Sequence, residues 1–252
     1  MDNYEKILQM WQGFGIKTQA DIDLRLYHFS ELFAYHSGRI ENKEITWHDT
    51  HEIFANGRAL NFTGNPRALF EQRNQKLCYE LLKEKLSVCE SLSLDLILEI
   101  HRVLTEGTYD ERRYIALGER PGAFKKHDYV TGRLGVGSVP EEVARDLADL
   151  LAELAELPPD GDVLTAGAYL HARFEFIHPF ADGNGRVGRT LLNYFFLLHG
   201  HPPVVIHEED KAAYYAALER YDVSEELEAM TIFLRGQVEK TWGNTLARRK
   251  TQ

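Results

Sequence analysis

The sequence predicts a predominantly helical fold with one short β-hairpin, and three observations carry that prediction. Val143, Leu147, Leu150, Leu151, Leu154 and Leu157 recur at the spacing of one helix face. Residues 191–198 are apolar nearly all round, which places a helix in the middle of a core. Only the stretch from about 124 to 138 breaks the helical rhythm.

Taken in chain order, Leu24, Leu26, Phe29, Leu32 and Phe33 form an amphipathic stretch, and Lys43-Glu44-Ile45-Thr46 opens the next helix. Ser93 caps a helix whose buried stripe is Leu94, Ile97, Leu98 and Leu104. Tyr129-Val130-Thr131 is β-prone, Gly132 supplies a turn and Leu134-Gly135-Val136 returns extended, which reads as the hairpin. Ser138-Val139-Pro140-Glu141 reads as a capping box with proline in the first turn, and Pro158-Pro159 stops that helix. Ala166 to Ile177 forms a further helix, and Gly200 with Pro202-Pro203 ends the apolar one. No repeat, low-complexity stretch or Ser/Gly linker marks a domain boundary.

With 252 residues, 44% of them apolar, the chain can bury a substantial core. The net charge of −10 argues against a nucleic-acid backbone as a partner. Arg248-Arg249-Lys250 is the only basic cluster and reads as a solvated tail. Cys78 and Cys89 lack metal-ligand spacing and read as free thiols of a reducing compartment. No apolar run approaches the length of a membrane span, and Met1-Asp2-Asn3-Tyr4 has no basic leader, so a cytoplasmic protein with no membrane partner is expected. Specialised secretion routes leave no such signal.

Residues 178–189, HPFADGNGRVGR, concentrate the chemistry. Asp182 is a hard oxygen ligand suited to Mg²⁺, which binds through one or two carboxylates and the phosphates of its substrate. Gly183-Asn184-Gly185 permits a tight turn whose amides converge on an anion at the start of a helix. Arg186 and Arg189 stand one turn apart on that helix, and His178 can act as a general base. His171, two turns earlier, lacks the i, i+4 partner or third ligand of a zinc site and reads as structural.

The stretch resembles the signature HPFxDGNGRxxR of the Fic family (filamentation induced by cAMP; Fic/DOC superfamily), with all nine fixed positions met. The resemblance implies an all-α Fic fold, a helical bundle with one β-hairpin flap, and transfer of AMP from ATP to a Tyr, Thr or Ser hydroxyl of a target protein. It implies His178 as base, Asp182 on Mg²⁺, Gly183, Asn184 and Gly185 around the phosphates, Arg186 on the β-phosphate and Arg189 on the γ-phosphate. Phe180 would anchor the loop. The hairpin around 126–136 would be the flap that receives a target segment as an added strand. The chain itself is a candidate target. Tyr214-Tyr215-Ala216-Ala217-Leu218 resembles the stretch near the nucleotide base, which makes Tyr215 a base contact. Related members often place an asparagine shortly after, where this chain has Tyr221-Asp222.

Ser37-Gly38-Arg39-Ile40-Glu41-Asn42 fits S/T-x-x-x-E-G/N and resembles the inhibitory helix that some family members carry ahead of their catalytic core. Ser37, Glu41 and Asn42 are then inhibitory residues, with Glu41 taking the Arg189 fork from the γ-phosphate. The expected division is residues 1–80 as the region bearing this helix and 81–252 as the Fic core, packed as one unit. Alternative readings are another nucleotide or phosphate-containing donor, removal of AMP, or a non-catalytic Fic-fold interaction module.

Overall fold

A computed structural model describes residues 1–16, 18–59, 62–158 and 161–249. Among them run ten α-helices: α1 (Asn3–Gln12), α2 (Gln19–Glu41), α3 (Trp47–Asn56), α4 (Pro66–Ser87), α5 (Leu94–Thr105), α6 (Val143–Ala155), α7 (Val163–Ile177), α8 (Asn184–Leu198), α9 (Lys211–Ser224) and α10 (Glu228–Arg249). There is no sheet among the described residues. The fold is the all-helical bundle expected.

Helix α8 is the axis of the bundle. Leu191, Leu192, Tyr194, Phe195 and Phe196 are each at most 2% exposed, and α7, α5, α4 and α2 all pack on this helix. Its apolar circumference allows neighbours on every side. One hydrophobic cluster runs from Tyr4, Ile7 and Trp11 through Ile97, Leu147 and Phe174 to Trp242, so the N-terminal helices share a core with the rest. Replacing Phe195 with aspartate is expected to abolish the cooperative thermal melt, because it buries an unpaired charge, whereas leucine there keeps the melt.

Helix starts follow their caps where the cap is local. Thr18 closes a capping box on α2, Thr46 accepts from the Asp49 amide, and Ser93 accepts from the Leu96 amide. Helix α7 begins at Val163, three residues before the expected Ala166, because Asp162 accepts from the Leu164 and Thr165 amides.

Two expectations need correcting. Ser138 does not cap α6, which starts at Val143 without a side-chain cap. Its amide donates to Ile177 O at 2.9 Å, and its hydroxyl donates to Asp146 Oδ2 at 2.5 Å. Tertiary contact with the end of α7 has outcompeted the local box. Leu24 is 74% exposed, and the buried face of α2 instead uses Ile22, Leu26, Ala34 and Ile40. The hairpin reduces to one antiparallel bridge, with Thr131 N–H donating to Val136 O (2.8 Å) and Val136 N–H to Thr131 O (3.0 Å). Gly132 and Gly135 take the left-handed backbone between them. Helix α6 ends at Ala155, before Pro158, while Pro159 and Lys250 lie outside the described residues.

Candidate active site

The site is built where α7 ends and α8 begins. Pro179 disfavours helical backbone at the residue before it, and α7 stops at Ile177; His178 takes the left-handed conformation (φ 51°, ψ 61°) that commonly closes a helix. Phe180 is fully buried and stacks on His101, with ring centroids 3.6 Å apart. This fixes the loop against α5.

The Asn184 carboxamide closes the loop from the other side. Its Oδ1 accepts from the Phe180 amide (2.9 Å) and its Nδ2 donates to Phe180 O (2.8 Å). These two bonds use Oδ1 and one Nδ2 hydrogen, and Asn184 also lines the cavity beside α8. Gly183 lies at φ 87°, and a Cβ there would stand 2.6 Å from Thr105 Cγ2. No side chain caps α8. The first amides of a helix have no intrahelical acceptor, and the α8 residues that carry them, Asn184, Gly185 and Arg186, line a cavity.

Arg186 and Arg189 share a helix but point at different elements. Arg186, 2% exposed, lies 3.4 Å from Glu71 of α4 and 3.8 Å from Asp182. Arg189, 1% exposed, donates Nε to Ser37 Oγ (3.0 Å) and Nη2 to both Ser37 O (2.9 Å) and Glu41 Oε1 (2.9 Å). Burial alone would lower the Arg189 pKa, but Glu41, Tyr214 and Glu175 override it and hold it above the ordinary arginine value. Asn42 reaches α4 instead, donating to Glu71 Oε2 at 3.0 Å. Glu41 also sits over the start of α8, where a Cβ on Gly185 would come 2.5 Å from its Oε1.

These residues enclose a cavity of about 540 Å³, lined among others by Glu41, His178, Asp182, Gly183, Gly185 and Arg186. Arg186 Nε and Nη1 and, behind Glu41, Arg189 Nη1 are buried without a hydrogen bond, Arg186 Nη1 facing Glu71 at 3.4 Å. A buried guanidinium with unpaired N–H groups is costly, and an anion would pair them. His178 is held down to about 4, first by burial and then by the Lys125 charge. Its ring is neutral at pH 7.

Tyr215 lies in a neighbouring cavity of about 500 Å³ with Thr131, Glu175 and Asp222. It is 42% exposed. His171 is fully buried and pairs through Nε2 with the Tyr214 hydroxyl at 2.8 Å, as a structural residue would.

Four residues of the site carry no sequence signal. Arg67 and Glu71 read as an ordinary i, i+4 pair on a helix, and Lys125 as one cation among many. Glu175, whose Oε1 is buried without a partner, is pushed up to about 8 by burial, and only its place three residues before His178 could have marked it.

No group of three or more His, Cys, Asp or Glu poised to hold a metal occurs among the described residues. A protein-made metal cage is thus not on offer. Asp182 on the cavity rim still fits Mg²⁺, which takes one or two carboxylates and completes its shell with phosphate and water.

The chain is thus a helical bundle whose central helix starts beside two buried arginines and a histidine. Residues 91–196 match the Fic/DOC family, so the chain carries a Fic domain. It is similar to protein adenylyltransferase fic-1 of Caenorhabditis elegans, 30% identical over 198 residues, covering 74% of this chain and 35% of that protein. It is also similar to protein adenylyltransferase Fic of Nematostella vectensis, 29% identical over 199 residues, covering 73% and 41%. The chain thus spans little more than a third of the length of the curated relatives it matches. In fold it resembles a Fic domain containing signaling protein from Bacteroides thetaiotaomicron, with TM-score 0.80, 23% identity and coverage of 100% and 98%. Fic-1 from C. elegans aligns with TM-score 0.78 and 23% identity over 98% of this chain and 73% of that one. No helix is long and apolar enough to cross a membrane among the described residues.

Proposed function

We propose that this protein is an adenylyltransferase that moves AMP from ATP onto a hydroxyl side chain of a target protein, and that Glu41 restrains it. The observation that carries the reading is the cavity that brings a neutral His178 together with the start of α8, the buried Arg186 and, through Glu41, the Arg189 guanidinium. The adenylyltransferase names of the curated relatives support the donor and the reaction.

In this mechanism the target hydroxyl oxygen attacks the α-phosphorus, the bond to the bridging oxygen breaks, and pyrophosphate leaves. His178 Nδ1 is buried, which leaves Nε2 to take the hydroxyl proton. The α8 amides and Arg186 hold the α- and β-phosphates, and Arg189 holds the γ-phosphate once Glu41 withdraws. Asp182 would hold Mg²⁺, which neutralises phosphate charge when bound. Placement and charge stabilisation carry the rate. Tyr215 stands beside the base in the adjoining cavity. The target segment pairs along the turn at Thr131–Val136, where Val130 and Leu134 are 53% and 58% exposed.

The test uses ATP labelled on the α- or the γ-phosphate. Glu41→Gly is expected to raise α-label incorporation about a hundredfold, the shift that a coupling of ~3 kcal/mol produces. Arg189→Ala stays inactive with or without Glu41, because it removes the phosphate ligand along with the partner of the inhibitor. A destabilised protein would lose activity in both variants. Incorporation of γ-label alone would replace this reading with a kinase-like one, and an unchanged or lower rate in Glu41→Gly would remove the inhibitory role.

A further inference from the structure

Asp182, the carboxylate that faces an incoming metal in the reading above, is already engaged. Arg67 Nη2 lies 2.6 Å from its Oδ2, and Arg186 Nη2 lies 3.8 Å from its Oδ1. Arg67 also donates through Nε to Glu71 Oε1 at 2.9 Å, and Glu71 approaches Arg186 Nη1 to 3.4 Å. Two cations and two anions therefore close a neutral ring. A divalent cation that arrives alone at Asp182 meets two guanidinium charges within 4 Å.

The placement of Arg67 is hard to explain by helix stability. It is the second residue of α4, after the Asn65 cap and Pro66, where a positive charge opposes the helix dipole and no acid offsets it in the first turn. Glu71, one turn on, anchors Nε and leaves Nη2 free to reach across to the loop. The ring is also asymmetric in its freedom. The Glu71 and Arg186 side chains are 3% and 2% exposed, whereas Asp182 is 19% and Arg67 34% exposed at the mouth of the cavity. The pair that can part is the Arg67–Asp182 pair.

We propose that Arg67 is a charge-exchange residue of the nucleotide site. It neutralises Asp182 while the site is empty, and yields that carboxylate to the divalent cation by moving onto the phosphate oxygens that arrive with it. A metal–triphosphate complex carries net negative charge, so it supplies both the cation that takes Asp182 and the anion that takes Arg67. Metal and nucleotide then enter together, and the metal alone binds poorly. The proposal rests on the reading of this cavity as a nucleotide site.

Two binding measurements on the intact chain test it. Mn²⁺ affinity without nucleotide, read by electron paramagnetic resonance, is expected to rise about tenfold in Arg67→Met because the competing charge is gone. Affinity for a non-hydrolysable ATP analogue at saturating Mg²⁺, read by calorimetry, is expected to fall about tenfold in the same variant because a phosphate ligand is gone. Opposite signs are the signature, since loss of a merely structural residue lowers both. Arg67→Lys keeps the charge, should fall between wild type and methionine, and guards against a folding defect. Adding Asp182→Asn to Arg67→Met should cancel the Mn²⁺ gain. Two affinities that fall together, two that stay put, or a gain that survives Asp182→Asn would each overturn the proposal. A wild-type protein that binds no analogue would remove the nucleotide site itself and the proposal with it, an outcome distinct from an analogue bound equally by wild type and variant.

Discussion

His178→Ala lowers AMP transfer about 10²–10⁴-fold while ATP affinity stays within a few-fold of wild type, the signature of a lost general base. The phosphates are held elsewhere, by the α8 amides and the two arginines, so removing the imidazole leaves the donor in place. Alanine is not a clean probe alone, because residue 178 sits in the left-handed region at φ 51°. Asparagine tolerates that conformation and cannot act as a base near neutrality, so His178→Asn should be equally inactive and melt like wild type. The pH profile adds an independent check. Burial and then Lys125 hold the imidazole down to about 4. The base is therefore already deprotonated through the neutral range, and the wild-type rate per folded molecule, read at a temperature where the protein stays folded, should carry no titration limb above about pH 5. A limb centred near the ordinary histidine value, or full activity in either variant, would remove His178 from the role.

The chemistry was legible because it sits in one unbroken stretch, where a helix end, a turn and a helix start follow one another. Local order alone places His178, Asp182, Gly183, Gly185 and Arg186 around one cavity. Residues that a distant helix brings in were legible only where their pattern was already suggestive, as with Ser37 and Glu41 on Arg189. Arg67 and Glu71 were not, since a pair one helical turn apart normally lies on a solvated face. The bonds of the Asn184 carboxamide to Phe180, which close the loop, had no signal in the sequence. Local rules failed in a consistent way: Ser138 carries the right residue for a cap but its backbone is tied to Ile177. Capping preferences amount to about 1 kcal/mol, which one tertiary bond can outweigh.

Acidification from pH 7 to 5 should destabilise the protein steeply. Burial comes first among the causes that hold His36, His178 and His201 down to about 4 and His101 and His171 down to about 3. Each folded-state pKa lies below the unfolded value of 6.5, so between the two the unfolded chain binds more protons than the native one. Stability then rises with pH, and what these rings contribute is lost as pH falls through 6.5 toward about 4. By pH 5 each costs about 2 kcal/mol relative to neutrality. Glu175 acts in the opposite sense. Burial raises its folded pKa to about 8, so the native state holds the extra proton and gains stability over the same interval. It offsets little more than one histidine, leaving a net loss on the order of 7 kcal/mol, comparable to the whole stability of many domains. The thermal midpoint should therefore collapse between pH 7 and 5, well above the range where surface carboxylates titrate. Replacing His101, which stacks on Phe180, tests the sign within the site. His101→Gln removes one titrating ring and should flatten the pH dependence of stability while lowering its neutral value. A midpoint that stays constant down to pH 5 would show that these imidazoles are solvated in the folded protein.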